Sequence, residues 1–175
     1  MSAPVVPTRI LFVCTGNICR SPMAQYFLAD RVRGGGVEVS VGSAGTAALT
    51  DHPMHVQTER VLRERGIDST DEFRARYLTA DLVAGADLVI GLSREHRDHA
   101  TAAAPMSWRR VVTLRELDAY IAGGGALTST PQIAADRNRD DLDITDPMHK
   151  PPAAFDTLAA ELDPMIDRLA GWLRG

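Results

Sequence analysis

The chain has 175 residues, of which 45% are hydrophobic and 24% charged, with a formal net charge of −4. This suits one domain spanning residues 1–175 around one sizeable core, and an acidic balance with no separate basic cluster argues against a nucleic-acid partner. No apolar run reaches the about 20 residues that span a bilayer, and the first eight residues lack the regions of a signal peptide, so no membrane partner and a cytoplasmic location are expected.

Ile10-Leu11-Phe12-Val13 reads as a strand that runs without a gap into Cys14-Thr15-Gly16-Asn17-Ile18-Cys19-Arg20-Ser21-Pro22. Ser21 suits a helix N-cap and Pro22 a first helical position, and Met23, Ala24, Phe27, Leu28 and Val32 follow at helical spacing. A strand, a tight loop and a helix N-terminus form an anion site, because unpaired backbone N–H groups and the positive end of the helix dipole meet there. Phosphate is the expected anion, with the backbone of Thr15, Gly16, Asn17, Ile18, Cys19, Arg20 and Ser21 around it.

Cys14 and Arg20 bracket the loop in a C-x5-R arrangement. In a chain this rich in arginine the spacing alone is weak evidence, and the context strengthens it. A thiol at a helix N-terminus beside an arginine is favoured as the thiolate, which makes Cys14 a candidate nucleophile toward phosphorus. The alternative is a small buried hydrophobe at a strand end. Arg20 can grip two phosphoryl oxygens as a planar fork. Gly16 is read as allowing a close backbone approach or a positive φ, and Asn17 as tolerating the left-handed region.

Beyond Gly34-Gly35-Gly36, the alternation in Val37–Val41 predicts a second strand, and Ser43-Ala44-Gly45-Thr46 a loop. A helix is expected from Pro53 to Gly66, then a polar connection over 68–76 and a short helix over Thr79–Ala84. Asp87–Gly91 reads as a fully buried strand, Ser93 as a cap for a helix over Arg94–Ala103, Val111–Thr113 as a strand and Leu114–Ala122 as a helix. The alternation predicts an α/β fold: a four-stranded parallel sheet with helices on both faces, flavodoxin-like, with the site at the carboxyl ends of the strands.

Residues 126–145, which include Asp136, Arg137, Arg139, Asp140, Asp141 and Asp143, are expected to be a surface excursion. The final helix should pack on the sheet with Phe155, Leu158, Ala159, Leu162, Met165, Ile166, Leu169, Trp172 and Leu173 on one face, with a kink or break near Asp163 imposed by Pro164. His52/His55 and His96/His99, each spaced i, i+3, read as surface histidines. No third ligand is in register, so no metal and no cofactor is called for.

The stretch Val13–Pro22 resembles the signature of the low-molecular-weight protein tyrosine phosphatases, and Ser43-Ala44-Gly45-Thr46, the Thr79–His96 region and Asp146-Pro147 are similar to further family features. The resemblance implies that Cys14 forms a phosphocysteine, that Arg20 binds the phosphoryl group and that Asp146 is the general acid and base, with Asp143 in reserve. It also implies that Asn17, Ser21 and Ser43 support the loop, Ser21 by donating to the sulfur. Cys19 is either a disulfide partner of Cys14 or a packing residue. The implied substrate is a phosphorylated protein or a small aryl phosphate; the sequence sets no oligomeric state. Ile18 matches the tyrosine phosphatases, whereas arginine phosphatases of the same fold usually place Thr there. Ala47-Ala48-Leu49 and Met148-His149 depart from the aromatic ring clamp of the family, and Phe73 stands where a loop-supporting histidine is common. The alternatives are an arsenate reductase recycled by a small thiol and a silent phosphate-binding module.

Overall fold

The computed structural model describes residues 7–128, 130–133 and 137–175. In chain order the elements are β1 (Arg9–Cys14), α1 (Arg20–Val32), β2 (Ser40–Gly45), α2 (Val56–Glu64), α3 (Ala80–Gly85), β3 (Leu88–Gly91), α4 (Arg94–Ala103), β4 (Val111–Thr113), α5 (Leu114–Ala122) and α6 (Ala153–Arg174). Short 3-10 turns lie at Pro105–Arg110 and Asp140–Leu142.

Among the described residues the strands form one parallel sheet in the order β2-β1-β3-β4, with Val13 paired to Ala44 on one side and to Gly91 on the other. The expected doubly covered sheet is present. Side chains alternate across it: Ile10, Phe12, Leu88, Ile90 and Val112 join one apolar cluster with α1, α2, α5 and α6, while Leu11, Val13, Val89 and Val111 join a second with α3 and α4. Because β2 and β3 flank β1 on opposite sides, the order reverses at β1, and a crevice opens at its carboxyl end. The loop that begins at Cys14 occupies that crevice.

Two sequence expectations are corrected. The second strand is Ser40–Gly45, not Val37–Val41, so Ser43-Ala44-Gly45 is strand rather than loop. Its residues are too small and polar to show as a strand by pattern, and backbone pairing with β1 along six residues holds them. α6 is unbroken over its 22 residues with Pro164 inside it. Pro164 and Ala160, whose carbonyl loses its i+4 donor, are both exposed, so water serves that carbonyl and the apolar face stays buried.

The helix after Pro53 starts only at Val56, where the His55 side chain caps it. Within the expected surface excursion Leu142 and Ile144 are buried, and Asp136 lies outside the described residues. No helix among the described residues is long and apolar enough to cross a membrane.

Candidate active site

The loop turns from β1 to α1 through Asn17, whose φ of 55° is left-handed. Asparagine tolerates this region better than most side chains. The carbonyls of the loop are turned outward: Thr46 N–H donates to Cys14 O at 2.9 Å, Ala47 N–H to Thr15 O at 3.0 Å, Leu49 N–H to Gly16 O at 3.1 Å and His55 N–H to Ile18 O at 2.8 Å. The N–H groups of residues 15–19 have no protein acceptor among the described residues, which leaves a ring of donors at the start of α1.

Gly45 allows this closure. A Cβ there would lie 2.4 Å from Thr15 O and 3.0 Å from Asn17 N, so only glycine lets the end of β2 lie flat on the loop. Nothing in the strand pattern marks that role. Gly16 does not have the positive φ, and a Cβ on it would meet only Ile18 Cγ1 at 3.6 Å, so the left-handed turn belongs to Asn17. α1 begins at Arg20 with Cys19 as its N-cap, which places Ser21 and Pro22 within its first turn rather than at its cap and first position.

Ser21 is thereby free for another contact. Its Oγ lies 2.9 Å from Cys14 Sγ and accepts from Asn17 Nδ2 at 2.9 Å. Asn17 Nδ2 also donates to Ser43 Oγ at 2.8 Å, Ser43 donates to Gln25 Oε1 at 2.6 Å, and Asn17 Oδ1 accepts from Arg76 N–H at 2.9 Å. The Arg76 amide fixes which end of the Asn17 amide is which. Asn17 donates to Ser21, so the Ser21 proton points at the sulfur. Phe73 takes no part: it is buried edge-on to Tyr26, and Asn17 makes its bonds without a histidine there.

A hollow of about 140 Å³ lies over the loop, lined by Cys14, Thr15, Gly16, Ile18, Cys19 and Arg20, with Asp146 and Met148 on the opposite wall. Arg20 is 6% exposed. Its Nη1 donates to Ile144 O at 3.0 Å and its Nη2 to Asp146 Oδ2 at 2.9 Å, with Thr15 Oγ1 at 3.4 Å. Nε is buried with no acceptor in the protein. Asp146 Oδ1 accepts from Met148 N–H at 3.0 Å, and the carboxylate is half-exposed at the mouth.

Asp143, the reserve acid, is elsewhere. Burial pushes its carboxyl up, but the Arg94 hydrogen bonds hold it below the usual carboxylate range, and the Arg94 side chain and amide take both oxygens. Asp143 is not in the lining of the hollow over Cys14, as Asp146 is, so it stands out of reach of a leaving group there.

Cys19 is buried, and desolvation together with the nearby Cys14 pushes its thiol up to about 12. Both cysteines are free thiols. The histidines depart from the surface expectation in two places. His55 is half-buried and stacks on Phe155 at 4.7 Å between ring centroids, and His96 is 1% exposed and hydrogen-bonded beneath the loop. The spacing of His96 carried no sign of this, since its partner Thr15 is 81 residues away. Among the described residues no three His, Cys, Asp or Glu side chains are grouped to hold a metal.

Comparison with known proteins gives the same outline. The family model for low molecular weight phosphotyrosine protein phosphatase matches residues 9–127. A protein-arginine-phosphatase of Geobacillus stearothermophilus is 32% identical over 94% of this chain and 95% of its own length. The probable low molecular weight protein-tyrosine-phosphatase EpsP of Ralstonia solanacearum is 34% identical over 90% of each chain. The crystal structure of a low molecular weight protein tyrosine phosphatase from T. tengcongensis superposes with a TM-score of 0.74 at 30% identity, covering 92% of this chain and 96% of that one.

Proposed function

The chain belongs to the low molecular weight phosphotyrosine protein phosphatase family and is a phosphatase, and on that footing we propose that it hydrolyses phosphotyrosine and related aryl phosphates through a phosphocysteine on Cys14. The observation that carries this reading is the buried Arg20, which lines the same hollow as Cys14 and whose Nε has no acceptor in the protein. A tetrahedral dianion supplies what both need.

In the first half-reaction the Cys14 thiolate attacks phosphorus in line, the S–P bond forms, the P–O bond to the leaving group breaks, and Asp146 gives its proton to the departing phenolate. In the second, water attacks the phosphocysteine while the Asp146 carboxylate takes its proton, releasing phosphate and the thiolate. The loop amides and the Nε/Nη2 edge of Arg20 carry the charge of the phosphoryl oxygens, and Nη1 stays anchored on Ile144. Ser21 donates to the sulfur and makes it a better leaving group in the second step.

An arginine phosphatase stands among the relatives, so the phosphorylated residue is the point to decide. Ile18 and Met148 give the hollow apolar walls on which an aryl ring packs without leaving a polar atom unpaired, whereas a guanidinium would find there one carboxylate, Asp146, that Arg20 already holds. The reading favours phosphotyrosine over phosphoarginine, and it does not favour arsenate reduction or a silent binding module.

The test is p-nitrophenyl phosphate hydrolysis without added metal, followed by phosphotyrosine and phosphoarginine peptides compared by kcat/KM. Cys14→Ser should abolish turnover, and Asp146→Ala should slow hydrolysis of the phosphotyrosine peptide by ~10²–10⁴. Full activity in Cys14→Ser would end the proposal, and a higher kcat/KM for phosphoarginine would replace its substrate.

A further inference from the structure

His96 is a buried histidine that the reaction steps above do not use. It sits in α4, and its ring joins two hydroxyls: Nδ1 is 2.8 Å from Ser93 Oγ and Nε2 is 2.9 Å from Thr15 Oγ1. Ser93 Oγ also accepts from His96 N–H at 3.3 Å. The protons in this chain can be placed by counting donors and acceptors.

If Nδ1 carried the ring proton, Ser93 Oγ would accept twice, and its own proton would have no acceptor in a residue that is only 8% exposed. With the proton on Nε2, Ser93 donates to Nδ1 and every group is satisfied. Nε2–H then donates to Thr15 Oγ1, which also faces Arg20 Nη2 at 3.4 Å. Both lone pairs of Thr15 are thereby engaged, and its hydroxyl proton is left with the one direction the two donors do not fill, the hollow over the loop that Thr15 lines.

We propose that His96 is a positioning residue: its Nε2–H tautomer, set by Ser93, turns the Thr15 hydroxyl into a further donor to the phosphoryl group, beside the loop amides and Arg20. This rests on the reading of the loop as a phosphoryl site. A neutral imidazole is required, and burial, with the charge of Arg20 next, pushes His96 down to about 4, so the ring is neutral wherever a phosphate monoester is a dianion.

The experiment is a double-mutant cycle with inorganic phosphate as competitive inhibitor of p-nitrophenyl phosphate hydrolysis. Thr15→Val should weaken phosphate binding about tenfold or more, as expected for loss of a hydrogen bond to a charged group. His96→Leu should cost a similar factor, but little further in the Thr15→Val background, and His96→Gln, which keeps a donor, should recover part of the loss. On the wild-type protein, ¹⁵N NMR of the His96 ring should show Nε2 protonated and Nδ1 bare.

Additive losses from Thr15→Val and His96→Leu, or a protonated Nδ1, would overturn the proposal while leaving the phosphatase reading intact. The NMR measurement decides it even if His96→Leu fails to fold. A wild-type protein that neither hydrolyses p-nitrophenyl phosphate nor binds phosphate would instead remove the phosphoryl site and with it both readings.

Discussion

The two walls of the site are held in different ways. The nucleophile wall, named for the role proposed for Cys14, is continuous in sequence from Cys14 to Ser21 and is braced from below by the buried Asn17, Ser21 and Ser43 and by the end of β2. The acid wall, named for the role proposed for Asp146, is reached only 126 positions after Arg20. It is tied by Ile144 N–H on Leu92 O at 2.9 Å, by Arg20 on Ile144 and Asp146, and by Arg94 on Asp143. One wall is part of the core and the other is fastened to it, so damage to the braces of the first should appear as lost stability and damage to the tethers of the second as lost activity.

The largest effect expected on that contrast comes from acid. His96 lies under the nucleophile wall with its folded pKa at about 4 against an ordinary 6.5, lowered first by burial and then by Arg20. Between those values the unfolded chain binds a proton that the folded one refuses, so stability falls as pH drops from 6.5 to 4, by up to about 3 kcal/mol. Denaturant titrations at several pH values should show this limb in the wild type and a much shallower one in His96→Gln. An equal slope in both would mean that the acid sensitivity sits elsewhere.

Next is Asn17→Ala. It removes three buried hydrogen bonds and puts alanine at a left-handed φ, and should cost about 2–3 kcal/mol by thermal or urea unfolding. Should that variant unfold like the wild type, the loop is not braced as described.

The smallest effect belongs to the acid wall. Asp143→Asn loosens the Arg94 tether, which is partly exposed, and should cost under about 1 kcal/mol of stability. Leaving-group protonation should nevertheless drop about tenfold, seen as slower hydrolysis of phosphotyrosine with less change for p-nitrophenyl phosphate, whose leaving group needs little help. A large stability loss here would erase the distinction between the walls.

The same division explains what could be read from the sequence. β4, α4 and α5 were legible to the residue, because their apolar spacing and caps are local: Ser93 caps α4, and Thr113 with Glu116 forms a capping box for α5. The loop was legible because its donors, thiol and guanidinium fall within a few residues. β2 was misplaced because Ser-Val-Gly-Ser-Ala-Gly has no alternation to read, and its identity as a strand comes from β1. Gly45 and His96 were missed as site residues because each acts through a contact with Thr15 that no spacing rule encodes. Ser21 reads as a cap from its place before Pro22, whereas the helix begins at Arg20, two residues before Pro22, with Cys19 as its N-cap.

The Arg20 side chain works as a yardstick. It leaves the backbone at the end of the loop and ends on residues 124 and 126 positions further along, so one rigid planar group sets the gap between the proposed nucleophile and the proposed acid. The route the chain takes in between does not enter that measure. Related proteins are therefore at liberty to lengthen or shorten the stretch after α5, and to vary its sequence, while the two reacting groups stay the same distance apart.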